Sequence, residues 1–239
     1  MGSPSYAIYP LESLLSQPSH QVVAVVSQPA RPLGRGRRGD QRIDPPLASF
    51  AKKHGLLTLQ PAKAREPMFL NKIQELAPDL VITCAYGQIL TESFLSIPVK
   101  GTVNIHPSKL PQYRGATPVQ TALLDGLKST AVTILYTVKA LDAGDLILQE
   151  DYSIKPDETA GELLDRLFKL SGSLLLEALQ KIELKNFVGR SQEPSEVTHS
   201  RKINKEDGLV RWSESKEFVY NHYRAYHPWP GSYSFLNKK

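Results

Sequence analysis

Apolar positions along this chain follow two rhythms, and each rhythm marks an element. Helical spacing appears in Ile8–Leu15 through Leu11, Leu14 and Leu15, and in Pro67–Leu76 through Phe69, Leu70, Ile73 and Leu76. It returns in Ala160–Leu179, where Leu163, Leu167, Leu170, Leu174 and Leu175 share one stripe. Between these helices lie short β-branched runs. Gln21–Val26 and Asp79–Ala85 read as strands buried on both faces, Gly101–Ile105 as a third, and Ala131–Val138, with its alternation, as a fourth. Strands alternating with helices predict an α/β fold with a doubly wound, mostly parallel sheet. Such sheets bind ligands beyond the carboxyl ends of their strands, so Asn104 and His106 at one strand end and Tyr86-Gly87-Gln88 after another should face one pocket.

After Phe187 the pattern changes to Ser191-Gln-Glu-Pro-Ser-Glu-Val-Thr-His199, a polar stretch of linker composition. Three parts are therefore expected: a catalytic region over 1–188, a linker over 189–204, and a second region over 205–239. The 239 residues are enough for one or two domains with a substantial core, and 41% apolar with 22% charged residues describes a soluble globular protein. No apolar run approaches the roughly 20 residues of a membrane span, and no secretory signal is legible at the N-terminus. The expected compartment is intracellular. Cys84 is the single cysteine, so the chain has no internal disulfide or cysteine-based zinc site, and its apolar neighbours suit a buried strand. His20, His54, His199, His222 and His227 lack ligand spacing, and no metal is expected.

Charge matters where it is concentrated. The formal net charge is +5, and Arg31, Arg35, Arg37, Arg38 and Arg42 stand close together against Asp40 alone, interleaved with Gly34, Gly36 and Gly39. By itself such a run is a solvated face or a contact for a polyanion. Three further residues could carry chemistry together: Asn104 as a donor to a developing oxyanion, His106 as a proton carrier, and Asp142 as an anion that orients the imidazole and holds its charge. Asp142-Ala-Gly144-Asp145 also has the composition of an ordinary turn, and Asp145 is a neighbouring carboxylate.

The block Asn104-Ile-His106-Pro-Ser-Lys-Leu-Pro-Gln-Tyr-Arg-Gly115, with Leu141-Asp142-Ala-Gly144, resembles the folate-dependent formyltransferase family. The likeness extends through Gly2-Ser-Pro-Ser-Tyr-Ala, Gln28-Pro-Ala-Arg31-Pro-Leu-Gly34-Arg35-Gly36, Ala85-Tyr86-Gly87-Gln88-Ile-Leu90 and Pro228-Trp229-Pro230-Gly231, nearly the whole chain. It implies a Rossmann-like formyltransferase fold, with Asn104, His106 and Asp142 catalytic. It also implies 10-formyltetrahydrofolate as cosubstrate, held by Ser108, Lys109, Leu110, Pro111 and by Tyr86, Gly87, Gln88, Ile89 and Leu90. The acceptor implied is the α-amino group of methionine on initiator tRNA, for translation initiation, with Arg31, Arg35, Arg37, Arg38 and Arg42 gripping the tRNA.

A monomer working in a bacterial cytoplasm, an organellar matrix or a stroma is expected. The competing readings are a hydrolase of 10-formyltetrahydrofolate, an amino-sugar formyltransferase, and a noncatalytic tRNA-binding fragment. Lys109 stands where the family more often has Leu, facing either the folate's acidic tail or solvent, and Tyr113-Arg114-Gly115 shapes the amine pocket unless Arg114 serves a structural salt bridge instead. By the same likeness, a first strand ahead of Gly2 is missing and Met1 is expected to be internal. The residues from 205 on resemble the start of a C-terminal β-barrel, truncated because a small barrel needs roughly five strands of five or six residues.

Overall fold

The computed structural model describes residues 1–32, 42–184 and 186–236. After a 3₁₀ turn at Ser5–Ala7, helix α1 spans Ile8–Leu15, followed by strands β1 (Val25–Val26), β2 (Arg31–Pro32) and β3 (Arg42–Ile43). Then come α2 (Pro46–Lys53), β4 (Thr58–Leu59), α3 (Pro67–Leu76), β5 (Val81–Thr83), α4 (Glu92–Leu95) and β6 (Thr102–His106). The chain continues through β7 (Arg114–Gly115), α5 (Pro118–Leu124), β8 (Ser129–Tyr136), β9 (Leu146–Ser153), α6 (Ala160–Glu183), β10 (His199–Ser200) and α7 (Lys216–Tyr226).

Local chemistry sets the helix starts. Proline opens α2, α3 and α5, where a missing N–H costs nothing and the fixed φ suits the first turn. The long α6 begins with a reciprocal cap, in which the Thr159 hydroxyl accepts from the Glu162 amide and the Glu162 carboxylate accepts from the Thr159 amide. Its inward stripe, including Leu163, Leu167 and Leu175, is fully buried and packs on α1, β8 and β9.

The main sheet has the order β5-β6-β8-β9, with β5 parallel to β6 and the β8–β9 hairpin antiparallel at one edge. β1 pairs in parallel with β4 as a separate ribbon, and β2 with β3 as an antiparallel one. The expected α/β architecture is present, as a mixed sheet. Of the predicted run Gln21–Val26, only Val25–Val26 is paired. On its other side β1 has no strand partner among the described residues, and a cleft of about 480 Å³, lined by Val22, Val23, Val25, Leu80, Val81 and Ile82 among others, lies between β1 and β5.

Only the tip of this seam is closed. The Gly2 amide donates to Val26 O at 2.9 Å, and the Cys84 amide donates to Met1 O at 2.8 Å. Cys84 is buried there as expected, and burial pushes its thiol up to about 12.

The tail does not stand apart. Helix α7 packs on α5 and α6, Ala225 and Tyr226 join the same core as α6, and the Gly161 amide donates to His227 O at 3.1 Å. The polar stretch read as a linker is also engaged with the first region: β10 pairs with β7, aligning His199 with Arg114 and Ser200 with Gly115. Among the described residues no helix is long and apolar enough to cross a membrane.

Candidate active site

Asn104 and His106 sit two residues apart on β6 and therefore share one face, while Val103 and Ile105 enter the core on the other. His106 is the last residue of the strand and Asn104 its middle, so the site spreads over the sheet face toward the strand end. Parallel pairing aligns Thr83 of β5 with Asn104. The Thr83 hydroxyl lies 2.8 Å from Asn104 Oδ1, and its other acceptor is Val103 O at 3.0 Å. With its oxygen turned toward Thr83, the Asn104 amide directs Nδ2 at Asp142 Oδ1, 3.3 Å away.

Asp142 reaches this face from the loop between β8 and β9. Its φ of 50° is left-handed, a conformation that Asp tolerates better than most residues. Gly144 explains how the loop comes so close, because a Cβ there would stand 1.8 Å from Tyr136 O. Asp142 Oδ2 accepts from the Gly115 amide at 2.8 Å and lies 3.6 Å from His106 Nδ1. The imidazole is 3% exposed, and its Nε2 lies 3.0 Å from Tyr113 O. Both ring nitrogens thus face acceptors.

The three residues singled out from the sequence converge. Asp145, the alternative carboxylate, instead accepts from the Ser191 hydroxyl at 3.0 Å.

The expected folate-side residues divide. Tyr86–Leu90 form a loop beyond β5, with Ile89 fully out in solvent at 89% exposure. Its neighbour is the Val138–Asp142 loop, which also carries exposed Val138 and Leu141; Lys139 reaches Glu92 of α4 at 3.4 Å. Gln88 is occupied within the chain, its Oε1 accepting from the Ala64 amide at 2.6 Å, while Gln28 Nε2 donates to Tyr86 O at 2.9 Å. Gly87 takes a positive φ of 77°. The Tyr86 hydroxyl is buried without a partner among the described residues, and burial pushes it up to about 12.

On the other segment, Ser108 donates to Gln112 O at 2.8 Å, and Leu110 packs with Leu135 and Leu146. Pro111 is buried as well. Lys109 lies out on the surface, paired with Asp151 at 2.8 Å. Arg114 makes no salt bridge among the described residues: its Nε and Nη2 both donate to Gln192 Oε1, at 3.1 and 2.8 Å.

Of the arginine group, Arg31 and Arg42 stand exposed on the β2–β3 ribbon, where Arg31 aligns with Ile43 and Pro32 with Arg42. Arg35, Arg37 and Arg38 lie outside the described residues. No group of three His, Cys, Asp or Glu among the described residues is placed to hold a metal ion.

Two side chains that shape the site escaped the sequence reading, Thr83 and Gln192, and of Tyr113-Arg114-Gly115 it is the Tyr113 carbonyl and the Gly115 amide that reach His106 and Asp142. Thr83 had one available signal, a polar residue interrupting the apolar run Val81-Ile-Thr83.

Comparison with known proteins agrees with the geometry. The family model described as formyl transferase matches residues 3–179, and that described as formyl transferase, C-terminal domain, matches residues 202–239. Methionyl-tRNA formyltransferase of Ruminiclostridium cellulolyticum is 39% identical over 238 residues, covering 100% of this chain and 75% of the relative. That of Syntrophus aciditrophicus is 41% identical over 239 residues, with coverage of 100% and 75%. The chain thus spans about three quarters of the length of these relatives. Among solved structures, an N-formyltransferase from Helicobacter canadensis superposes with a TM-score of 0.71 at 17% identity, over 99% of this chain and 82% of the other. Glycinamide ribonucleotide transformylase 1 from Symbiobacterium toebii superposes with a TM-score of 0.64 at 22% identity, over 80% and 92%. These two establish likeness of fold.

Proposed function

We propose that this chain, which belongs to the formyl transferase family, moves the formyl group of 10-formyltetrahydrofolate to the α-amino group of methionine on initiator tRNA, for translation initiation. The observation that carries the reading is the convergence of Asn104, His106 and Asp142 on one sheet face. The identity of 39% and 41% with relatives named for this reaction, along the whole chain, supports the choice of acceptor.

The residues present suit the folate. Its flat ring needs apolar cover with donors and acceptors at the edge, and the loops Tyr86–Leu90 and Val138–Asp142 supply exposed Ile89, Val138 and Leu141 beside their backbone groups. We assign the ring to these loops. Ser108, Leu110 and Pro111 then shape the floor from within, and Lys109 stays at the rim with Asp151. When bound, the cosubstrate supplies an activated formyl carbon for attack by the amine.

The chain's own groups do the rest. Asn104 Nδ2 has one hydrogen directed at Asp142 and a second left for the formyl oxygen as negative charge gathers there. His106 Nδ1 is the nitrogen placed to deliver a proton, directly or through water, to the folate nitrogen as its bond to the formyl carbon breaks, since Nε2 is held by Tyr113 O, and the proton shed by the attacking amine restores the imidazole. Asp142 orients the imidazole from 3.6 Å, and the Gly115 amide fixes its carboxylate. Tyr113 is no base here: desolvation first, then its bond to Asp125, pushes its phenol up to about 12.

In this reading residues 1–188 carry the chemistry, 189–204 join them to the second region, and 205–239 begin the part that meets tRNA beside the arginine ribbon. The protein works as a single chain in a bacterial cytoplasm, the setting suggested by its bacterial relatives. The test is formylation of methionyl-tRNA with 10-formyltetrahydrofolate, comparing this chain with His106→Ala. The substitution should lower kcat by about 10²- to 10⁴-fold, the usual worth of a placed proton carrier. A chain that hydrolyses the donor or formylates an amino sugar, and leaves tRNA untouched, would refute the assignment.

A further inference from the structure

The segment with linker composition reaches into the site through one side chain. Gln192 Nε2 donates to Asp142 O at 2.8 Å and to Gly144 O at 2.7 Å, while its Oε1 accepts both Arg114 bonds. Its two donors and two lone pairs are all used. The partners are not arbitrary. Asp142 and Gly144 belong to the loop that delivers the carboxylate, and Arg114 lies between Tyr113, whose carbonyl holds His106, and Gly115, whose amide holds Asp142.

The flanking chain is fastened on both sides of Gln192. Arg190 and Leu146 exchange two backbone bonds of 2.8 Å, and the Arg114 amide donates to Thr198 O at 2.9 Å. Thr198 Oγ1 accepts from the Tyr113 amide at 2.8 Å, and Ser200 donates to Arg114 O at 3.2 Å. Residues 190–200 therefore form a strap across both loops, with Gln192 joining one to the other.

We propose that Gln192 is a positioning residue for formyl transfer, setting the Asp142 carboxylate against His106 and Asn104 by tying the Asp142–Gly144 backbone to Arg114. The proposal rests on the catalytic reading of Asp142. An amide is required at this position because it must donate to two carbonyls and accept from one guanidinium. A carboxylate of the same length would keep Arg114 and repel Asp142 O and Gly144 O. Alanine would release both.

The test is a double-substitution cycle read by steady-state formyl transfer to methionyl-tRNA, using Gln192→Ala, Gln192→Glu and Asp142→Asn in the full chain, with thermal melts of each variant. Gln192→Ala and Gln192→Glu should each lower kcat by about 10- to 100-fold, as displacement of a reacting group by about 1 Å does, with KM for the donor changed less than about threefold. In the Asp142→Asn background the same Gln192 changes should alter kcat by less than about threefold, because the group they position is already disabled. Assays run well below the melting midpoint of every variant separate positioning from folding. An equal loss in both backgrounds, or full kcat in Gln192→Glu, would overturn the proposal alone. Full kcat in Asp142→Asn, or no transfer by the parent chain, would overturn the catalytic reading and this proposal with it.

Discussion

At the scale of the residue, the site depends on amides and hydroxyls that hold other groups in place. Thr83 engages the Asn104 oxygen at 2.8 Å and so turns Nδ2 toward the open face, where the proposed reaction places the formyl oxygen. Replacing Thr83 with Val keeps the branched shape but removes the hydroxyl, so Asn104 loses the partner that fixes its orientation. We expect Thr83→Val to lower kcat about tenfold while KM for tRNA stays near the parent value. A kcat equal to the parent's would show that Asp142 alone orients Asn104. The sequence made Asn104, His106 and Asp142 legible because their types, spacing and flanking residues carry information. Gln192 was illegible for a physical reason: it meets Asp142 across fifty positions, inside a stretch whose polarity describes a linker equally well.

At the scale of the element, periodicity performed well where burial is one-sided. Helices α1 and α3 run over the stretches expected from their leucine and phenylalanine spacing. The predicted strand over Ala131–Val138 is observed at Ser129–Tyr136, since the Thr137 amide turns to Thr102 O and the chain leaves the β8–β9 ladder. Strand β9, not recognised in the sequence, is an edge strand that is buried at Leu146 and Ile147 and largely exposed from Glu150 on, so it shows neither a long apolar run nor alternation. The β2–β3 ribbon has a consequence of its own. It holds Arg31 and Arg42 exposed on paired backbone, where a guanidinium can meet phosphate. Arg31→Ala with Arg42→Ala should raise KM for tRNA and lower the slope of log Kd against log salt by about 1–2. An unchanged slope would remove this ribbon from the tRNA contact.

At the scale of the whole molecule, the sheet layer is split along the cleft between β1 and β5 and closed at one end by Met1–Gly2. A Cβ on Gly2 would lie 2.5 Å from Cys84 O and 3.0 Å from Ala7 Cβ, so backbone would have to move. Gly2→Ala should cost about 1–3 kcal/mol in a urea melt, as overpacking typically does, and should speed reaction of the Cys84 thiol with an alkylating reagent. Unaltered stability and a still unreactive thiol would show that the closure has slack. The arginine ribbon follows β1 on one side of this closure, whereas Asn104 and His106 stand on β6, beyond β5 on the other. The joint therefore acts as a caliper between the arginine ribbon and that sheet face, which under the proposed function is the span from a phosphate contact to the reacting amine.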